Sequence, residues 1–343
     1  MPSNDLKRCV PARAFTILAR AEDHSKAMIE RARASIENFA TTKGVDISNI
    51  CFVVVGSVGR HEALEASDFD VIPVALIESA LEQYRMNDAE LRAKLATDLG
   101  VKVSKGEDLT KATTIGELTE SDCIGGSNDS SGSLTKRILI LTESRQVAGG
   151  FKLSDVREQI LKAYANETRT SGRHVLSICN DIARYYKTLC IEYKAKIDEE
   201  EKDWCTRNMK LRHSRKLWYF SNILAIAKLS EEHPLGDDEY VRALLKIFDE
   251  PPAERVVRAQ CSSQPTETGR LLENYAIFLE FMSKDKNRTA LAKVEHEKRY
   301  AMEPDNQFLA MKLNSDVMHQ TILAILHGLS PSMSNKVISW FLL

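Results

Sequence analysis

The sequence predicts an α+β fold: a small mixed-sheet domain with an N-terminal helix, followed by an all-α domain. Three observations carry this. Two short, β-branched apolar runs, 50–55 and 69–76, flank a Gly-Ser turn, and each has the length of a buried strand. The stretch 13–40, rich in Ala, Ile, Glu and Arg, precedes them with a helical composition. Beyond residue 153 no strand-like run occurs. The expected division is therefore 1–150, with a helix over about 13–40 and a core over about 48–150, and 151–343.

In chain order, the first strand stops abruptly at Gly56, where a tight turn is expected. Gly56 lets the backbone approach an anion closely, and Ser57 adds a hydroxyl and an N–H at the start of a short helix. Arg60, three residues on, has the charge to neutralise a polyphosphate. The second run places Asp68 and Asp70 on one strand face, while Phe69 and Val71 point the other way into a core. Two close carboxylates repel each other unless a cation sits between them, and oxygen ligands suit Mg²⁺ or Mn²⁺. The plainer alternative is an exposed turn, followed by a strand that Ser67 and Asp68 merely cap. A third strand is expected over 100–104, and 125–133 (GGSNDSSGS) reads as a linker or a mobile lid. The helices expected afterwards are 153–196, 205–229, 239–248, 267–282 and 308–328, separated by polar or Pro-containing breaks.

The segments G-S-V-G-R-H-E at 56–62 and S-D-F-D-V-I-P-V at 67–74 resemble the signature of the DNA polymerase β-type nucleotidyltransferase superfamily. Within it the chain looks most like the transferase domain of bacterial PII-protein uridylyltransferases and related stand-alone proteins, which carry a similar G-[GS]-x-G-R-x-E followed by S-D-x-D. A weaker likeness lies at 137–150, RILILTESRQVAGG, similar to the E-S-R-x-[LV]-x-G segment that closes that domain. The resemblance covers about 48–150. It implies phosphate binding at Gly56 and Ser57, metal ligation by Asp68 and Asp70, and supporting roles for Arg60 and Glu62 in nucleotide binding. One departure stands out. Relatives often place a third carboxylate on a neighbouring strand, and the expected strand here offers Lys102 instead. Glu107, Asp108, Asp122, Asp129 and Glu143 are the acids nearby in sequence.

What the resemblance implies is a metal-dependent nucleotidyltransferase. It would move an NMP group from an NTP such as ATP to an acceptor hydroxyl on a protein, an RNA or a small molecule, releasing pyrophosphate. The alternative from another class is a catalytically silent nucleotide-binding or interaction module. The metal-binding His-Asp dipeptide and regulatory domains of full uridylyltransferases are missing, so their nucleotide-removing activity is not expected.

Other chemistries find no support. There is no P-loop and no G-x-S-x-G elbow, and no motif pairs His61 or His213 with a nucleophile. The 343 residues are 43% hydrophobic and 28% charged with a net charge of −2, which argues against a surface that coats nucleic acid generally. The seven cysteines show no C-x-x-C spacing and are expected to be reduced, structural thiols of a cytoplasmic protein. The polar start MPSNDLKR does not read as a signal peptide, and no apolar run is long enough to span a bilayer.

The helical half has one segment with a charge signature. Arg207, Lys210, Arg212, Arg215 and Lys216 fall within ten residues that contain no acid, followed by Trp218, Tyr219 and Phe220. On a helix Arg212, Arg215 and Lys216 share a face, while Leu211, Trp218 and Ile223 line a packed one. Upstream, Asn180, Asp181, Arg184 and Tyr185 form another polar cluster. Two readings stay open: these helices wall a nucleotide cleft between the domains, with Arg212, Arg215 and Lys216 meeting the triphosphate, or they present a solvated basic face over an aromatic core.

Overall fold

A computed structural model describes residues 2–120, 124, 129, 131–166, 173–200, 204–233, 238–295, 298–302 and 306–342. The chain forms two compact units, each assembled from separate segments. One comprises Ala21–Asp181 with His233–Pro251 and carries the sheet; the other comprises Met1–Arg20, Ile182–Glu232 and Pro252–Leu343, and is helical. Residues 151–181, beyond the single boundary expected at 150, thus belong to the sheet unit.

Helix α1 (Asn4–Cys9) starts where the Ser3 hydroxyl accepts from the Leu6 N–H at 3.0 Å. Helix α2 (Ala12–Lys43) contains the expected 13–40, and its Met28, Ile29, Ala32, Ile36 and Phe39 join the core of the sheet unit. Strand β1 (Ile50–Val55) is buried at all six positions. That fits its place in the interior of the sheet, because a strand covered on both faces needs a continuous apolar run rather than alternation. After α3 (Gly56–Gly59), strand β2 (Asp70–Ala75) returns antiparallel, from Val55 opposite Asp70 to Ile50 opposite Ala75. Helices α4 (Glu78–Arg85) and α5 (Asp88–Leu99) follow.

The strand expected over 100–104 is reduced to one residue. Gly100 is instead the left-handed cap of α5, at φ +69°, and only Val103 bridges to the strand side, parallel to Phe69. Strand β3 (Thr113–Thr114) pairs parallel with the far end of β2, and α6 (Ile115–Thr119) begins with a capping box between Thr114 and Glu117. Most of 125–133 lies outside the described residues, but Ser131 already opens α7 (Ser131–Thr142), so the end of that stretch is helix and not linker. Strand β4 (Arg145–Ala148) completes a mixed sheet in the order β3-β2-β1-β4.

The single helix expected over 153–196 is two, α8 (Leu153–Asn166) and α9 (Arg173–Glu200). Helix α10 (Trp204–Lys210), a π-helical turn (Leu211–Arg215) and α11 (Lys216–Glu232) then run on from one another. Next come α12 (Asp238–Phe248), α13 (Pro252–Gln260), α14 (Pro265–Ser283), α15 (Asp285–Ala292), α16 (Gln307–His327) and α17 (Pro331–Val337). In the helical unit α11 is buried around most of its circumference and packs on α13, and α14 packs on α16. Among the described residues no helix is long and apolar enough to cross a membrane.

The cysteine expectation needs correction. Cys9, at the end of α1, and Cys261, just after α13, form a disulfide with their Cα atoms 6.3 Å apart. Packing of α1 on α13 and α14 brings the two together, and Gly269 of α14 lies so close that an added Cβ would sit 2.4 Å from the Cys9 carbonyl oxygen. Cys51, Cys179 and Cys205 are buried thiols outside that disulfide.

Candidate active site at the end of β1

Strand β1 delivers the chain to Gly56 at φ +73°, a conformation that a side chain strains. A Cβ there would lie 3.5 Å from Asp70 Oδ2, so the bare backbone of the turn faces the carboxylate of the adjacent strand. One helical turn follows, in which the N–H groups of Arg60 and Glu62 donate to the carbonyls of Gly56 (2.9 Å) and Ser57 (2.8 Å). Ser57 is half-buried. Gly59 does a different job from Gly56. A Cβ at Gly59 would fall 2.2 Å from the Glu143 carbonyl oxygen and 2.8 Å from that of Val54, so only glycine lets α3 lie against both segments.

The two aspartates flank a residue held as strand. The Phe69 N–H donates to the Lys102 carbonyl at 2.8 Å, and its own carbonyl accepts from Ser104 N–H at 3.2 Å. Phe69 and Val71 are buried, whereas Asp68 is exposed and Asp70 half-buried, the alternation a strand edge imposes. Ser67 closes the preceding turn, accepting through its hydroxyl from Leu64 N–H at 2.9 Å.

Arg60 does not face the turn's open side as a cation awaiting polyphosphate. It is 4% exposed, donates from Nε to Glu62 Oε2 at 2.8 Å, and pairs through Nη1 with the fully buried Glu143. Two carboxylates in a dry interior need a cation, and this guanidinium supplies it. Glu62, itself buried, therefore acts on the turn through Arg60. His61 has φ +59°, unusual for a residue with a side chain. Burial, then the charges of Arg145 and Lys26, lower its pKa to about 3, so it is a neutral imidazole at physiological pH.

Of the acids considered for a third ligand, Glu143 is spent on Arg60 and Asp129 on Arg137. Glu107 is exposed; the side chain of Asp108, and Asp122 altogether, lie outside the described residues. Among the described residues no group of three or more His, Cys, Asp or Glu is placed to hold a metal ion. The donors at the turn are thus the Asp70 carboxylate beside the Gly56 backbone and the exposed Asp68 two residues before it. That set suits a hard cation whose other ligands are water and phosphate oxygens.

The remaining sequence-flagged residues are in the helical unit. Arg212 donates to Asn208 Oδ1 at 2.7 Å and lies 3.7 Å from Asp316. Burial and the neighbouring Arg212 lower the Lys216 pKa. Arg215 is half-buried. Between them, His213 is buried with Nδ1 against the Met209 carbonyl and Nε2 against Asn314 Oδ1, both at 2.9 Å, and its ring stacks on Phe278. Of the upstream polar cluster, Asp181 accepts from the Tyr164 hydroxyl at 2.6 Å in the sheet unit, and Tyr185 packs edge-on against Trp218 in the helical unit.

Sequence reasoning missed the pairing of Arg60 with Glu143, 83 residues apart, and the part played by Gly149 and Gly150. A Cβ at Gly149 would fall 1.9 Å from the Ile50 carbonyl oxygen, and one at Gly150 2.4 Å from that of Ser48. The segment 137–150 thus closes on β1 through bare backbone, and its E-S-R and Gly-Gly elements were the signal available. No protein-family model matches the chain, and no curated protein matches it. The likeness to nucleotidyltransferases accordingly stands on the residues of 56–76 and 137–150 alone.

Proposed function

We propose that the chain is a metal-dependent nucleotidyltransferase, transferring an NMP group from an NTP to an acceptor hydroxyl with release of pyrophosphate. The observation that carries the reading is the juxtaposition of Gly56, bare and at positive φ, with the Asp70 carboxylate across the β1–β2 pair. A positive-φ glycine set beside a carboxylate, with a second acid two residues before it, is an arrangement in which a hard cation and a phosphate could sit together.

In this reading Asp68 and Asp70 would hold Mg²⁺ or Mn²⁺, which would supply positive charge at the α-phosphate and a more acidic acceptor hydroxyl. The Gly56 backbone and the Ser57 hydroxyl and N–H cradle the departing pyrophosphate. The acceptor hydroxyl gives its proton to water as its oxygen attacks the α-phosphorus in line, the bond to the bridging oxygen breaks, and pyrophosphate carries away the electron pair. Arg60, Glu62 and Glu143 stay off the substrate and fix the turn that positions it.

Incubation of the purified protein with each α-labelled NTP, Mg²⁺ or Mn²⁺ and a cell extract tests this. Label is expected in protein, RNA or a small molecule, and its location names the acceptor class. The absence of a three-acid group among the described residues favours one competing reading, a silent nucleotide-binding module. That module would bind Mg²⁺-NTP by calorimetry while transferring nothing.

A further inference from the structure

The short parallel contact beside the aspartates brings a cation to their face of the sheet. Phe69 pairs with Val103, its N–H donating to the Lys102 carbonyl at 2.8 Å and its carbonyl accepting from the Ser104 N–H at 3.2 Å. In that register Lys102 stands next to Asp68 and Ser104 next to Asp70, about 4.8 Å apart, and residues in register share a face. Burial agrees position by position. Asp68 and Lys102 are exposed, Phe69 and Val103 buried, Asp70 and Ser104 half-buried.

Of the two residues this contact adds, Ser104 is occupied: its hydroxyl accepts from the Val71 N–H at 3.4 Å and from Arg92 Nη1 at 3.0 Å. Lys102 makes no ion pair among the described residues. Its flexible four-carbon stem and rotatable ammonium suit a phosphate as a point charge. The site needs such a charge. One divalent cation only offsets the two aspartates, so a triphosphate would meet no net positive charge there, and Arg60 is buried on Glu62 and Glu143.

We propose that Lys102 is the cation of this site that contacts the triphosphate of the NTP. The proposal rests on the nucleotidyl-transfer reading and supplies the charge that the sequence assigned to Arg60. It has a second consequence. Before nucleotide arrives, an ammonium on the face of Asp68 and Asp70 opposes a metal ion held by those carboxylates.

Calorimetry of the full chain at fixed ionic strength, with Mn²⁺ alone and with ATP, GTP, CTP and UTP each in the presence of Mg²⁺, tests it. Lys102→Gln is expected to weaken the NTP that binds best about tenfold and to strengthen Mn²⁺ binding severalfold, with Lys102→Arg close to wild type in both. Lys102→Glu should move both affinities further in the same directions. A lysine remote from the aspartates would give neither shift. Unchanged NTP affinity in Lys102→Gln, where the wild type binds, would overturn the assignment of Lys102 and leave nucleotidyl transfer standing. Stronger NTP binding by that variant would make Lys102 a surface counter-ion of Asp68 and overturn it as well. If the wild type binds neither Mn²⁺ nor any NTP, the lysine assignment and the transfer reading fall together.

Discussion

The Gly56 turn and the π-helical turn at Leu211–Arg215 both drew notice in the sequence as dense runs of functional residue types, yet they are built in opposite ways. At Gly56 a residue without a side chain lies beside the half-buried Asp70 carboxylate, Asp68 is exposed, and the nearby cation, Arg60, is buried on Glu62 and Glu143. At Leu211–Arg215 the fold turns the polar groups on itself: His213 lies between the Met209 carbonyl and the Asn314 side chain, and Arg212 is engaged by Asn208 and Asp316. Residue type alone does not distinguish a site from a well-satisfied helix. What separates them is the backbone: a positive-φ glycine beside a carboxylate in one, an unbroken helical run in the other.

The largest effect that could break this comparison is at Arg60. Replacing it by Met leaves Glu62 and Glu143 buried without their cation and should cost about 3–5 kcal/mol; a chemical-denaturation midpoint close to wild type would return Arg60 to the list of substrate-facing cations. The two glycines of the turn sharpen the contrast further. Gly59→Ala drives a Cβ into the Glu143 and Val54 carbonyls and should cost roughly 3 kcal/mol or more. Gly56→Ala meets only an ordinary contact, so its cost is the left-handed backbone alone, about 1–2 kcal/mol. Its main effect should be weaker Mg²⁺-NTP binding by calorimetry. Equal stability losses in the two variants would mean that Gly56 is a packing glycine like Gly59.

Smaller effects are expected in the helical unit. Gln in place of Arg215 and Lys216 should change stability by only about 0.5 kcal/mol and leave NTP affinity unchanged. A severalfold loss of affinity, shrinking at high salt, would bring the basic segment back into the site. The smallest effect is a pH slope. The folded pKa of His61, about 3, lies below the unfolded value of about 6.5, so the unfolded chain binds the extra proton. The stability linked to neutral His61 is complete above the unfolded pKa and is lost as pH falls towards 3. His61→Asn, which tolerates positive φ, should flatten that fall in the denaturation midpoint between neutral and mildly acid pH. An unchanged slope would mean that His61 is accessible to protons in the fold.

The parts of the molecule that were legible are those whose cause is local. The apolar runs of β1 and β2, the turn between them, and the outward step of Asp68 and Asp70 around Phe69 all follow from neighbours within a few residues. The fate of Arg60 was not legible because its second partner is Glu143, and the disulfide was not because Cys9 and Cys261 are 252 positions apart. Proline misled in another way. Read as breaks, Pro252, Pro265 and Pro331 are each the first residue of a helix, where a fixed φ and a missing N–H cost nothing. Helices α13 and α17 went unforeseen as a result. The 100–104 strand failed because Gly100 served the end of α5 before a strand could begin.

The most direct measurement is transfer of label from α-labelled NTP by the Asp68→Asn, Asp70→Asn variant beside the wild type. Removing two like charges from one strand face should leave the fold as stable as before, or more so, so a loss of activity can be read as chemistry. Transfer by the wild type, with none detectable from the equally stable variant, is the expected result. Transfer by the variant at the wild-type rate would contradict the assignment of these two aspartates and, with them, of the site at the end of β1.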